Sequence, residues 1–177
     1  MWIEFDRVND KHEAYLECVG RCLAISQHFE SSCRYILGAT ELIVAWDAGE
    51  IDDLHKDHVA FLAKALRHRA LNGIVKKLNM LGQVSDDELE ILECGRVARN
   101  YIAHEVTLVV TQYPDFDDEF EKKIEEFKAH LRNLVTADNE VSAWSYEAEE
   151  RVQRPYTVFT TYPQTSFEWV MEPLNAV

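Results

Sequence analysis

Apolar residues recur at three- and four-residue steps along most of this chain, the period of helices that bury one face. From Asp10 to Trp46 the period is kept by Tyr15, Val19, Cys22, Ile25, Phe29, Cys33, Ile36 and Leu37, and it stops before Asp47-Ala48-Gly49. A second helical stretch is predicted from about Leu54 to Leu81, through Val59, Leu62, Leu66, Ile74 and Leu78. Gly82 is placed to cap it, and Gly73 to kink it. Ser85-Asp86-Asp87-Glu88 has the form of a capping box and predicts a third helix running to about Gln112. Tyr113-Pro114-Asp115 predicts a turn, with Asp115 capping a fourth helix toward Arg151 through Phe120, Ile124, Phe127, Leu131, Leu134 and Val135. A break in that helix is allowed near Thr136-Ala137-Asp138-Asn139.

After Arg154-Pro155 the helical period is lost. Tyr156-Thr157-Val158-Phe159-Thr160-Thr161-Tyr162 is rich in residues that favour extended chain, and Pro163 and Pro173 interrupt the remaining residues. The expected architecture is therefore all-α: a four-to-five-helix antiparallel bundle over residues 1–153, with an extended C-terminal tail over 154–177. The tail would bury its aromatics on the bundle or dock on a partner.

Composition agrees with a helical protein that has a real core. Of 177 residues, 47% are hydrophobic, with only 6 Gly and 4 Pro, too few breakers for an all-β or disordered chain. Cys18, Cys22, Cys33 and Cys94 lie inside helical patterns, so reduced thiols are expected. Met1 to Asp6 lacks the basic-then-apolar order of a secretory signal, and no apolar run approaches the roughly 20 residues that span a bilayer. A cytoplasmic protein away from membranes is expected.

Charge narrows the choice of partners. The 32 acidic and 18 basic residues give a net charge of −14, whose field opposes coating of nucleic acid by the whole surface. The charge is uneven, however. Between residues 54 and 82, Lys56, Lys64, Arg67, Arg69, Lys76 and Lys77 face a single acid, with His55, His58 and His68 among them. This stretch either forms a local phosphate track or pairs with the acidic helices around it.

The third helix carries the chemistry. With Arg96 set at zero on a helical wheel, Asn100 falls at about 40°, Glu93 at about 60° and His104 at about 80°, one polar stripe. Ile91, Cys94, Ala98, Ile102 and Val109 fall on roughly the opposite side, and Glu105 falls among them as an inconsistency. Arg99 lies about 140° from His104, so a straight helix does not bring the two to one point. Two copies meeting across a two-fold axis would join the Arg of one to the His of the other.

Arg99-Asn100-Tyr101-Ile102-Ala103-His104 resembles the R-x4-6-H motif of HEPN domains, with the polar residue often found directly after the Arg, and the helical pattern over residues 10–150 is similar to a HEPN bundle. The resemblance implies a homodimeric, metal-independent endoribonuclease, commonly a toxin or defence enzyme. RNA would be cut by attack of the 2′-hydroxyl on the adjacent phosphorus, leaving a 2′,3′-cyclic phosphate and a 5′-hydroxyl. It assigns Arg99 and His104 as the catalytic pair and Asn100 as their polar support, with no cofactor and no metal. The residue types suit that chemistry, since a histidine exchanges protons near neutral pH and a permanent guanidinium stabilises phosphate charge. Arg96, Lys76 and Lys77 are the candidate substrate-binding cations. Glu105 departs from the small residue that many relatives place after the motif His.

Two other readings use the same residues. Arg96 and Arg99 would pair with Glu93 and nearby carboxylates, leaving His104 as an ordinary surface group. The acidic chain would then be a non-catalytic helical binding module, immunity- or antitoxin-like, engaging a basic protein. His55-x-x-His58 lacks the further ligands that a zinc site needs. No GxxxxGK[ST], GxGxxG or GxSxG pattern supports a phosphate loop, a dinucleotide site or a serine hydrolase.

Overall fold

The computed structural model describes residues 10–51, 63, 70–82, 84–106, 109, 118–150 and 155–177, side chains of 148–150 and 156 excepted. Five helices lie among the described residues, with no strand: α1 (Asp10–Asp47), α2 (Leu71–Met80), α3 (Asp86–His104), α4 (Asp118–Glu150) and α5 (Tyr156–Asn175). The expected all-α bundle is what the chain forms. α4 packs chiefly on α3 and α1, α5 lies on α1 and α4, and α2 lies on α1 and α3.

The predicted apolar period of α1 is its buried face: Tyr15, Val19, Cys22, Ile25, Phe29, Cys33, Ile36 and Leu37 are all buried. Phe120 and Phe127 of α4 approach the Tyr15 ring edge-on, with centroids 5.4 and 5.6 Å away. Each such ring contributes about 1.5–3 kcal/mol by leaving water. α1 stops where Gly49 takes φ 69°, letting the Glu50 N–H reach back to the Ala45 carbonyl at 2.9 Å. Gly82, at φ 66°, ends α2 in the same left-handed conformation, as its position in the sequence predicts.

α3 and α4 meet through small residues. A methyl on Gly95 would lie 2.3 Å from the Ala137 Cβ and 3.0 Å from Phe29 Cζ, so this crossing requires glycine. α4 runs unbroken through Thr136–Asn139, because Ala137 and Asp138 are buried and the Thr136 hydroxyl bonds back to the Arg132 carbonyl at 2.9 Å.

Three expectations need correction. The segment expected as an extended tail is a helix. Its β-favouring residues are overruled by packing of Val170 and Met171 into the core, with Phe167 and Leu174 against it. Thr161 supports the helix locally by donating to the Thr157 carbonyl at 2.9 Å. Pro173, four residues after Trp169, offers no N–H to the Trp169 carbonyl, and Arg21 Nη1 of α1 donates to that oxygen at 2.5 Å instead. The proline thus creates the acceptor by which α5 is tied down.

The second correction concerns α3, which ends at His104 rather than near Gln112. There the Glu105 and Val106 N–H groups both return to the Tyr101 carbonyl, which interrupts the regular helical ladder. Third, Cys94 is exposed, whereas Cys18, Cys22 and Cys33 are buried as expected. The inward face of α3 is turned toward Leu92 and Gly95. Of the predicted second helix, the described part is α2 with Ala63; the basic and histidine positions from 54 to 69 lie outside the described residues, as does the Asp115 cap.

Candidate active site

The capping box starts α3. Ser85 Oγ accepts from the Glu88 N–H, and Glu88 Oε2 accepts from the Ser85 N–H at 2.8 Å. Asp86, Asp87 and Glu88 fill the first turn, opposite the positive end of the helix dipole. At the other end, the Glu105 and Val106 N–H groups both return to the Tyr101 carbonyl, at 2.8 and 3.2 Å. The buried Tyr15 hydroxyl of α1 donates to the Val106 carbonyl at 3.3 Å. The end of α3 that carries His104 is therefore seated on α1.

Within this frame Arg99 and His104 face different neighbours. Arg99 turns toward α1, where Nη2 donates to Glu30 Oε2 at 2.5 Å, while Nη1 reaches Asn100 Oδ1 at 3.3 Å. Glu30 also accepts from Arg34, one helical turn on. The Glu30 side chain is 14% exposed and that of Arg99 27%, so both sit at the rim of the α1–α3 contact. Arg96 Nε donates to Glu93 Oε2 at 2.6 Å. His104 is exposed as the last residue of the helix, and among the described residues no hydrogen bond or ion pair engages it or joins it to Arg99. The angular separation read from the sequence is thus kept in the fold.

The predicted polar stripe is present as Glu93, Arg96, Asn100 and His104, with Val97, 47% exposed, two turns before His104 on the same face. Ala98 and Ile102 are buried behind it, while Ile91 is half-buried. Glu105 is exposed, and its apparent place in the apolar face disappears because the helix stops before it. Lys76 is exposed and Lys77 half-buried on α2; among the described residues neither is bonded to the motif.

Glu30, Tyr101 and His130 were not singled out by sequence pattern. Glu30-x3-Arg34 has the spacing of a helical ion pair, the one signal that marks it. Tyr101 and His130 stack at 4.1 Å with 19° between ring planes, and among the described residues neither the tyrosine hydroxyl nor His130 Nδ1, both buried, has a hydrogen-bond partner. Burial, helped by the Glu126 and Glu105 carboxylates, pushes the Tyr101 hydroxyl up to about 12. Burial lowers His130, against the opposing pull of the same two carboxylates. Tyr101 of this pair lies one helical turn before His104.

No protein-family model, curated protein or solved structure matches this chain. Among the described residues, no group of three His, Cys, Asp or Glu side chains is arranged to hold a metal ion. No helix among them is long and apolar enough to cross a membrane.

Chemically, the site offers an exposed imidazole at a helix end, and the backbone just after it is held by the Tyr15 hydroxyl and the Tyr101 carbonyl. A guanidinium and an amide lie about one turn before it. The imidazole can exchange a proton with a hydroxyl placed in solvent beside it. The guanidinium is committed to Glu30, so an incoming phosphate has to exchange with that carboxylate.

Proposed function

We propose that the chain is a HEPN-like, metal-independent endoribonuclease of toxin or defence type, acting in the cytoplasm as a homodimer. The observation that carries this reading is the Arg99-Asn100-x3-His104 arrangement at the end of α3 in an all-helical bundle, with His104 exposed as the terminal residue. His104 moves the proton of the RNA 2′-hydroxyl or of the leaving oxygen. Arg99, steadied by Asn100, stabilises the charge that develops on the phosphate. Arg96, Lys76 and Lys77 supply charge along the RNA backbone.

A second copy completes the site. Because Arg99 and His104 point apart within one chain, the proposal pairs the Arg99 of one copy with the His104 of the other across a two-fold axis. The exposed Val97 beside His104 gives that contact an apolar element. The reaction products would carry 2′,3′-cyclic phosphate and 5′-hydroxyl ends.

The direct test is incubation of purified protein with diverse RNAs in EDTA. Cleavage that persists, yields cyclic phosphate ends and disappears in a folded His104→Ala variant supports the proposal; intact RNA overturns it.

One observation favours a second reading. Arg99 and Arg96 already have carboxylate partners, which suits a structural motif in a binding module for a basic protein. A catalytically inert wild type that captures a basic partner, in a salt-sensitive manner and equally well as His104→Ala, supports that module instead.

A further inference from the structure

Asp138 lies inside α4, and its side chain is 0% exposed. Its two oxygens are used by two other helices. His28 of α1 meets Oδ1 through Nδ1 at 2.7 Å, and the Tyr162 hydroxyl of α5 donates to Oδ2. The imidazole opens to solvent, with 59% of its side chain exposed, while Tyr162 is half-buried. A buried carboxylate is costly unless a charge and hydrogen bonds compensate it. Here the hydrogen bond to Tyr162 ties α5 to the compensated carboxylate.

We propose that His28, Asp138 and Tyr162 form a proton-operated clasp for the C-terminal helix. With the proton on, the His28 cation neutralises Asp138 and the carboxylate holds Tyr162. With it off, Asp138 stays buried without a compensating charge, and the attachment of α5 weakens. The covalent chain is unchanged; one proton passes between Nε2 and solvent. The clasp is independent of whether the chain cuts RNA.

Groups around the clasp support this direction. From α4 the facing charge is Asp138 itself, and from α5 it is Tyr162, whose hydroxyl is pushed well above its usual range by burial and then by Asp138. On α1 the Cys33 thiol lies beside Asp138 and is pushed up by burial, so it supplies no charge near neutral pH. Glu30 and Arg34, next along α1, pair with each other. The hydrogen bond to Asp138 raises His28 above its ordinary value, outweighing the opposing effect of burial. The clasp is therefore fully closed below the unfolded histidine value of about 6.5 and is lost as pH rises through the higher folded value.

The test combines a histidine NMR titration with amide-exchange protection factors for α5, measured from about pH 5.5 to 8.5 around the ordinary histidine value. Protection of α5, relative to α3 and α4, is expected to fall as His28 titrates. The fall should be about tenfold for each unit by which the His28 value with α5 attached exceeds its value with α5 detached. His28→Gln, a neutral donor at an exposed position, is expected to make α5 protection flat with pH while leaving α3 and α4 unchanged. Tyr162→Phe is expected to lower α5 protection throughout while His28 still titrates high. A pH dependence that survives in His28→Gln, or α5 protection that ignores the His28 titration in the wild type, overturns the proposal.

Discussion

The Arg99 guanidinium of α3 donates to the Glu30 carboxylate of α1, so the cation of the motif is turned against the bundle while His104 stands in solvent. A phosphate that reaches Arg99 has to displace Glu30. Glu30→Gln is accordingly expected to tighten RNA binding while lowering stability by about 1–3 kcal/mol, the cost of leaving charged groups short of a partner. Filter binding and urea denaturation read the two effects. Loss of both binding and stability would mean that Glu30 positions Arg99 rather than masks it.

The α3–α4 crossing sets where the motif lies, and Gly95 sets the crossing. Gly95→Ala is expected to destabilise the fold by about 1–3 kcal/mol, because the new methyl collides with Ala137 and Phe29. Gly73 on α2 has nothing within 4 Å of an added methyl, so Gly73→Ala is expected to be neutral or to stabilise by up to about 1 kcal/mol. Denaturation midpoints for the pair check this contrast. Equal effects would remove the argument for close approach at Gly95.

The carbonyl of Trp169 depends on Arg21 because residue 173 is proline. Arg21→Ala is expected to speed amide exchange in α5, and adding Pro173→Ala is expected to restore protection by returning the missing helical N–H. Absence of rescue would place the role of Arg21 in its ion pairs with Glu17 and Glu172 or its cation–π contact with the Trp169 ring.

Much of the fold is legible in the sequence, for identifiable reasons. The buried stripe of α1 and the Ser85–Glu88 cap follow from local periodicity and local hydrogen bonding, which the sequence carries directly. The helical state of Tyr156–Asn175 does not: its residues favour extended chain, and distant packing of Val170 and Met171 makes them helical, with Arg21 supplying a replacement donor. The early end of α3 is set where the Glu105 and Val106 N–H groups share the Tyr101 carbonyl, a local backbone event that the apolar period does not register. At the site, the angular gap between Arg99 and His104 can be calculated from spacing alone. Glu30 cannot be matched to Arg99 in that way, because 69 positions separate them and only the fold brings them together.

His130 supplies a pH dependence opposite to that of His28. Burial against Tyr101 lowers its folded value, so its contribution to stability is present above the unfolded value of about 6.5 and is lost as pH falls through the folded one. His130→Phe is expected to flatten that acidic loss in denaturation curves and to remove a histidine that protonates below the ordinary value in an NMR titration. An acidic loss of the same size in the variant would assign it to other groups.

The central claim, an RNA-cutting site built from Arg99 of one copy and His104 of another, is tested most directly by complementation. Arg99→Ala and His104→Ala are purified, shown to fold, then mixed, unfolded and refolded together before RNA is added in EDTA. The account predicts that each variant alone is inactive and that the mixture regains roughly one-quarter of wild-type cleavage, since half of the dimers are mixed and each holds one intact site. A mixture no more active than either variant alone, beside an active wild type, would contradict the shared site; an inactive wild type would contradict the nuclease itself.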